Sequence, residues 1–237
     1  MKSMVKFGLI ALAAVIAFSS AACGKSSNSN SEGRSTAAGS SAAADSASSG
    51  RSDISPAGSS NGLTFGYTGE LDGYVILDHD RAEINGNVTI PASYNGKPVF
   101  YIGYSAFAKN ETITSVTIPD SVLIIGRDAF RDCTGITNII IGNNVKEIEW
   151  YAFSGCTGLT SIIIPASVTE IGSRTFQDCP ITSVTFLGSN LTATAAEVSI
   201  AFSFPDMMSQ LTFAQAFGSK SPGTYIMDSE TNYWSKQ

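Results

Sequence analysis

A single histidine, His79, stands in a chain of 237 residues. A serine or cysteine nucleophile needs a base beside it, so one histidine leaves little room for a hydrolytic triad. The four cysteines, Cys23, Cys133, Cys156 and Cys179, form no Cys-x-x-Cys pair, and neither a glycine-rich phosphate loop nor a nucleophile elbow occurs. A structural zinc site would want four ligands in close Cys/His pairs, which the last three cysteines lack. Basic residues are scarce, 14 against 20 acidic, so no stripe is available to neutralise phosphates and nucleic-acid binding is disfavoured. Long apolar runs are missing as well: the stretch from about Phe7 to Phe18 falls short of the ~20 apolar residues of a membrane-spanning helix. No catalytic residue, metal or cofactor is expected.

What is present begins with that same run. Lys2 and Lys6 precede it and small residues follow it, the layout of a secretory signal over residues 1–22. SSAAC, ending at Cys23, resembles a bacterial lipobox, with Ser20 where a leucine is usual. Cys23 is expected to be lipidated, anchoring the chain to a membrane; plain secretion, with Cys23 incidental, is the other reading. Removal of Lys2 and Lys6 leaves 12 basic against 20 acidic residues, a mature charge of about −8. From Lys25 to Gly62 there is no aromatic and almost no large aliphatic residue, so the segment cannot bury enough apolar surface to offset the entropy of ordering. Residues 23–62 are therefore read as the anchor and a disordered Ser/Ala/Gly tether, about 35 Å from end to end on Gly/Ser statistics.

Beyond Leu63 the sequence repeats. ITSVTIPDSVLIIGRDAFRDCTG from Ile113, ITNIIIGNNVKEIEWYAFSGCTG from Ile136 and LTSIIIPASVTEIGSRTFQDCP from Leu159 align unit on unit; ITSVTFLGSN opens another at Ile181, and VTIPASYNGKPVFYIGYSAFAKNET from Val88 is an earlier copy with an insertion. A period of this length, repeated at many positions per unit, points to a solenoid. Within a unit, Ile113, Val116 and Ile118 alternate with Thr and Ser and end at Pro119, which reads as a strand. Val122 and Ile125 form a second apolar step, and Ala129, Phe130 and Cys133 recur at the spacing of a helical turn. One unit buries too few side chains to offset the cost of ordering its own backbone, so the units must stack. Stacking predicts an aromatic ladder of Phe107, Phe130, Phe153 and Phe176 beside a thiol ladder of Cys133, Cys156 and Cys179. These thiols are read as buried and structural; zinc ligation, disulfide pairing and a catalytic role are the rival readings, and His79 alone could serve the last.

The strand ending in Ile-Pro, the Ile-Gly step and the Ala-Phe shortly before Cys resemble the BspA-like, treponemal-type leucine-rich repeat, over about Val88 to Asn190. IPASYNGKPVFYIGYSAF, Ile90 to Phe107, is similar to the first repeat of that family. Gly142, Glu149, Thr175 and Asn110 depart from the pattern, in place of proline, glycine, alanine and cysteine. The resemblance implies an α/β leucine-rich-repeat solenoid, strand-rich with short helical turns, of about four to five coils plus caps. It also implies a surface lipoprotein that binds host matrix proteins or other cells.

The remaining segments read as caps: a hairpin over 63–87, and over 191–237 an apolar, partly helical stretch with a terminal hairpin anchored by Tyr225 and Trp234. Asp78, His79 and Asp80 read as an exposed polar turn, since neighbours along a strand point different ways. The expected binding surface is the outward face of the repeat strands: Thr114, Ser115 and Thr117; Thr137, Asn138 and Ile140; Thr160, Ser161 and Ile163; Thr182, Ser183 and Thr185. Among these hydroxyls, Ile140 and Ile163 should lie side by side and exposed, and apolar groups in a polar field mark partner sites. The protein is thus expected to be monomeric and non-enzymatic, a lipid-anchored module at the outer membrane or cell surface that binds a protein ligand. The alternative is a periplasm-facing scaffold for an envelope partner.

Overall fold

A computed structural model describes residues 54–192, 198, 201–202, 213–218 and 221–237. The signal sequence, Cys23 and the tether as far as residue 53 lie outside the described residues. The first described elements are β1 (Ile54–Ser60) and β2 (Leu63–Thr68), an antiparallel hairpin in register from Ile54↔Thr68 to Ser60↔Leu63. β1 corrects the expected boundary at Leu63, because strand structure starts inside the stretch read as tether. That stretch offers few side chains to bury, but Asn61 and Gly62 both stand at positive φ, the Asn-Gly signal of a tight hairpin turn. Ladder hydrogen bonds and the packing of Ala57 against the core hold β1, rather than a hydrophobic face of its own.

β3 (Gly73–His79) pairs antiparallel with β2 and leads into the coils. The first coil contains β4 (Gly86–Thr89), then the SYNGKP insertion folded as β5 (Ser93–Tyr94) against β6 (Lys97–Ile102). Later coils repeat one longer and one short strand: β7 (Ile113–Thr117) and β8 (Ile124–Ile125), β9 (Asn138–Ile140) and β10 (Glu147–Ile148), β11 (Ser161–Ile164) and β12 (Glu170–Ile171). β13 (Ser183–Phe186) continues the longer series, and β14 (Gly223–Met227) and β15 (Trp234–Lys236) close it as an antiparallel hairpin. The longer strands stack in parallel as one wall of the solenoid, and the short ones as a second wall that runs β3-β6-β8-β10-β12. The β-branched residues of ITSVT and its copies suit the first wall, and their alternation buries Ile113, Val116 and Ile118 while Thr114 faces water.

The third wall, where short helical turns were expected, is a chain of single turns. Ser105, Lys109, Asp128, Asp132, Tyr151, Gly155, Arg174 and Asp178 all have φ between 53° and 76°, so a left-handed residue interrupts the chain every fourth position. The amides of Ser105, Phe107 and Lys109 turn outward to Arg127, Ala129 and Arg131 of the next coil, at 3.1, 2.8 and 2.7 Å. Ala106, Ala108 and Asn110 bond within their own turns. Backbone groups that a helix would satisfy internally are used here to zip one coil to the next.

Phenylalanine fills the interior. Phe107, Phe130, Phe153 and Phe176 stack face to face at 4.9, 5.4 and 5.6 Å, and Phe202 extends the stack at 4.8 Å. At the other end the ring of His79 lies 5.1 Å from Phe107, with its side chain 3% exposed and Nδ1 2.7 Å from the Ala106 carbonyl oxygen. His79 therefore closes the ladder instead of standing in an exposed turn, and burial holds its pKa below the ordinary imidazole value. A flat ring with one polar edge can cover a phenylalanine and still bond the backbone, which short-range sequence logic about neighbouring aspartates did not capture. Tyr225 and Trp234 are buried under the C-terminal hairpin beside Phe213, and residues 213–217 are helical.

Candidate binding face

The cysteines have a specific structural function. Cys133 Sγ donates to the Phe107 carbonyl at 3.0 Å, Cys156 to Phe130 at 3.3 Å and Cys179 to Phe153 at 3.1 Å. Each thiol thus gives a second hydrogen bond to a carbonyl one coil back that already accepts an amide of its own turn, and a slim donor fits there beside the ring stack. Asn110, in the cysteine's place in the first coil, likewise donates one coil back, through Nδ2 to the Ile84 carbonyl at 2.9 Å. Burial pushes the Cys133 thiol up to about 12, and a side-chain hydrogen bond with the free Cys179 thiol, together with burial, raises Cys156 as well, so both are held as protonated thiols at neutral pH. The other departures from the repeat pattern are equally local: Thr175 Oγ1 donates to the carbonyls of Gly172 and Glu149, and Glu149 accepts the Arg127 amide at 2.7 Å.

The outward side of the first wall is organised in rows. At the strand starts, Thr137 Oγ1 donates to the Thr114 carbonyl at 3.2 Å and Thr182 Oγ1 to that of Thr160 at 3.4 Å. These threonines are rungs between coils, with hydroxyls already engaged. In the next row Asn87, Ser115 and Asn138 lie in register, as do Ser161, Ser183 and Ile226; Ser115 donates to Asn87 Oδ1 at 2.8 Å. The third row pairs Thr117 with Ile140, and Ile163 with Thr185, which hydrogen-bonds Thr224 at 2.9 Å. Ile140 and Ile163 are each 54% exposed, and Leu187, just past β13, is similarly open.

A seam runs between the two isoleucines. β4-β7-β9 form one hydrogen-bonded sheet and β11-β13-β14-β15 another, so Ile140 and Ile163 stand on neighbouring strands that share no ladder. A second exposed group lies on the turn wall. The Trp150 indole covers Gly172 so closely that a Cβ there would clash, and the guanidinium groups of Arg131 and Arg174 sit 5.7 and 6.0 Å from the Tyr151 ring, whose hydroxyl oxygen also accepts a hydrogen bond from Arg174 at 3.0 Å. Sequence reasoning missed this group because Trp150 and Tyr151 occupy positions held by Arg127 and Asp128 in the coil before, outside the strand pattern. The signal was present in EWYAF itself, where two bulky aromatics precede the buried Ala-Phe.

Electrostatically the second wall is acidic. Glu147 and Glu170 lie in register on adjacent strands, and burial with the neighbouring carboxylates of Glu149 and Glu170 pushes Glu147 up to about 7. Among the described residues no three His, Cys, Asp or Glu side chains converge as a metal site.

The BspA type leucine rich repeat region matches in six copies over residues 86–197. The solenoid also aligns with a leucine-rich repeat protein from Bacteroides capillosus at 31% identity and a TM-score of 0.50, covering 55% of this chain and 97% of that one. The chain belongs to the BspA-type leucine-rich repeat family. Other similar structures are a leucine-rich repeat protein of T. pallidum, at 28% identity over 56% of this chain and 71% of that one with a TM-score of 0.45, and one from Bacteroides ovatus, at 27% over 57% and 36% with a TM-score of 0.47. None of the curated proteins matches. BspA-type repeats are typically non-enzymatic modules for protein interaction, and among the described residues the solenoid is strand-rich with very little helix.

Proposed function

We propose that this protein is an exported, lipid-anchored envelope protein that binds a protein ligand at the cell surface, acting as an adhesin or surface antigen toward host matrix proteins or other cells. The observation that carries the reading is the pair Ile140 and Ile163, half exposed at the seam of a wall whose other outward residues are mostly serine, threonine and asparagine, with Leu187 and Ile226 as further exposed apolar groups. A monomer would leave these apolar groups in water, and a partner that covers them gains hydrophobic burial while the surrounding serines and threonines offer a polar rim. The lipobox-like SSAAC and the following Ser/Ala/Gly stretch support anchoring through Cys23 and display away from the lipid.

Two assays test the location. Metabolic labelling with a palmitate analogue should mark the protein and fail in Cys23→Ala. Protease added to intact cells should remove the repeat domain, with a periplasmic control protein intact. Digestion only after lysis would refute surface display and make the partner a component of the envelope.

A further inference from the structure

We propose that the outer edge of β4 captures an extended peptide by strand addition, at a site separate from the Ile140 and Ile163 face. β4 is the terminal strand of its sheet, with β7 on one side and no partner among the described residues on the other. The amides of Gly86 and Ile90 donate to Thr112 and Thr117 on the β7 side, both at 2.9 Å. Because backbone direction alternates along a strand, the N–H and C=O groups of Asn87 and Thr89 face away from β7. Both residues are exposed, and both line a groove of about 320 Å³ between the first coil and the N-terminal hairpin. Unpaired strand groups beside an open groove make a template for one more strand.

Two other edge strands, β1 and β15, carry protection that β4 lacks. β1 holds Pro56 and a bulge between Pro56 and Gly58, and β15 ends at Lys236, both devices that discourage pairing. Neither a proline nor a lysine lies within β4. Its four residues span about 13 Å at ~3.3 Å per residue, room for an equally short peptide strand.

The groove also defines the chemistry of its occupant. The floor is set by Leu63 and Phe65, only 3% and 1% exposed, and half-buried Tyr94 stacks on Phe65 at 4.1 Å to form a rigid side. Glu83 is the one charged residue lining the groove, and it has no ion-pair partner among the described residues. The fitting ligand is an extended peptide with apolar or β-branched residues at alternate positions and a lysine or arginine placed to reach Glu83. A second copy of this chain fits poorly, since its own β4 is flanked by the same overhanging hairpin turn at Ser60 and Asn61.

The test uses a displayed library of random decapeptides selected on the folded protein, with the best binder synthesised and titrated by calorimetry. Selected sequences should share a basic residue and period-two apolar pattern. Methylation of the peptide's backbone nitrogens one at a time should weaken binding at every second position only. Thr89→Pro removes one outward N–H without touching the β7 ladder, and Glu83→Lys reverses the charge; each should lower affinity at least tenfold while thermal melting stays as in the parent. The paired substitutions Ile140→Lys and Ile163→Lys should leave peptide affinity unchanged. The proposal is overturned if no peptide is enriched, if the binder tolerates Thr89→Pro and all N-methylations, if binding is lost in the isoleucine variant, or if sedimentation shows a dimer that Thr89→Pro dissolves.

Discussion

Replacing Cys156 by alanine tests why this solenoid repeats a cysteine at all. Cys156 is fully buried, and its Sγ donates to the Phe130 carbonyl at 3.3 Å across the coil boundary. Alanine removes that bond and leaves the carbonyl with only the Cys133 amide at 3.3 Å, a loss of about 0.5–1.5 kcal/mol, and removes one buried heavy atom, worth about 0.8 kcal/mol if counted as a methylene. The sum is about 1–2 kcal/mol, and at about 2–4 °C per kcal/mol for a folded unit of this size the melting temperature should fall by about 2–8 °C. Cys156→Ser keeps a donor at the same position, as Asn110 does in the first coil, and should melt between the parent and the alanine variant. Thermal circular dichroism of the three proteins decides the matter. If alanine melts with the parent, or serine melts below alanine, the thiol is filler and the carbonyl account fails.

Further expectations follow from the same structure. The raised pKa of Glu147 means that the fold favours its protonated form: the associated stability is full below the unfolded value near 4.5 and is lost as pH rises through about 7. Because solvent reaches this carboxyl, the loss should be about 1–2 kcal/mol, and urea titration should find Glu147→Gln more stable than the parent at pH 8 but level with it at pH 4.5; an unchanged pH slope would contradict this. Burial holding Cys133 near 12 predicts that it resists a thiol reagent in native protein at pH 8 and reacts once urea unfolds the chain, as mass mapping of the labelled peptide would show. His79→Ala strips the cover from Phe107 and should cost about 2–4 kcal/mol by the cavity and lost ring contact, whereas a change below 0.5 kcal/mol, the range of ordinary surface substitutions, would return His79 to an exposed role. Deleting residues 54–60 bares the edge of β2 and should produce aggregation visible by light scattering; a monodisperse product would show that β1 is dispensable.

How much of this was legible depends on whether a residue's role repeats. Ile113, Val116 and Ile118 recur unit after unit, so their alternation and the strand wall could be read from the chain, as could the common columns of Phe130, Phe153 and Phe176. What one residue does once was hidden. His79 closes the ring stack from outside the repeats, and Phe202 extends it from a stretch, AFSFP, that has lost the Ile-Pro and Cys marks. β1 has almost no hydrophobic signal, and only Asn61-Gly62 announced it. Columns reveal who stacks on whom but not which groups bond: the thiol to carbonyl bonds, the threonine rungs and the left-handed residues that replace a helix all require backbone coordinates. On the binding face, the same limit applies. Exposure of Ile140 and Ile163 followed from strand alternation, whereas the seam between them depends on where the ladder of hydrogen bonds breaks.

The central claim is that this face binds a protein outside the cell, and the most direct measurement is capture of the folded chain by a panel of immobilised host matrix proteins, parent against the variant carrying Ile140→Lys and Ile163→Lys. Two lysines at half-exposed positions should leave melting within about 0.5 kcal/mol of the parent. The account predicts saturable capture by at least one matrix protein and a loss of at least tenfold in the variant. No capture by any member of the panel, or equal capture of parent and variant, would contradict it.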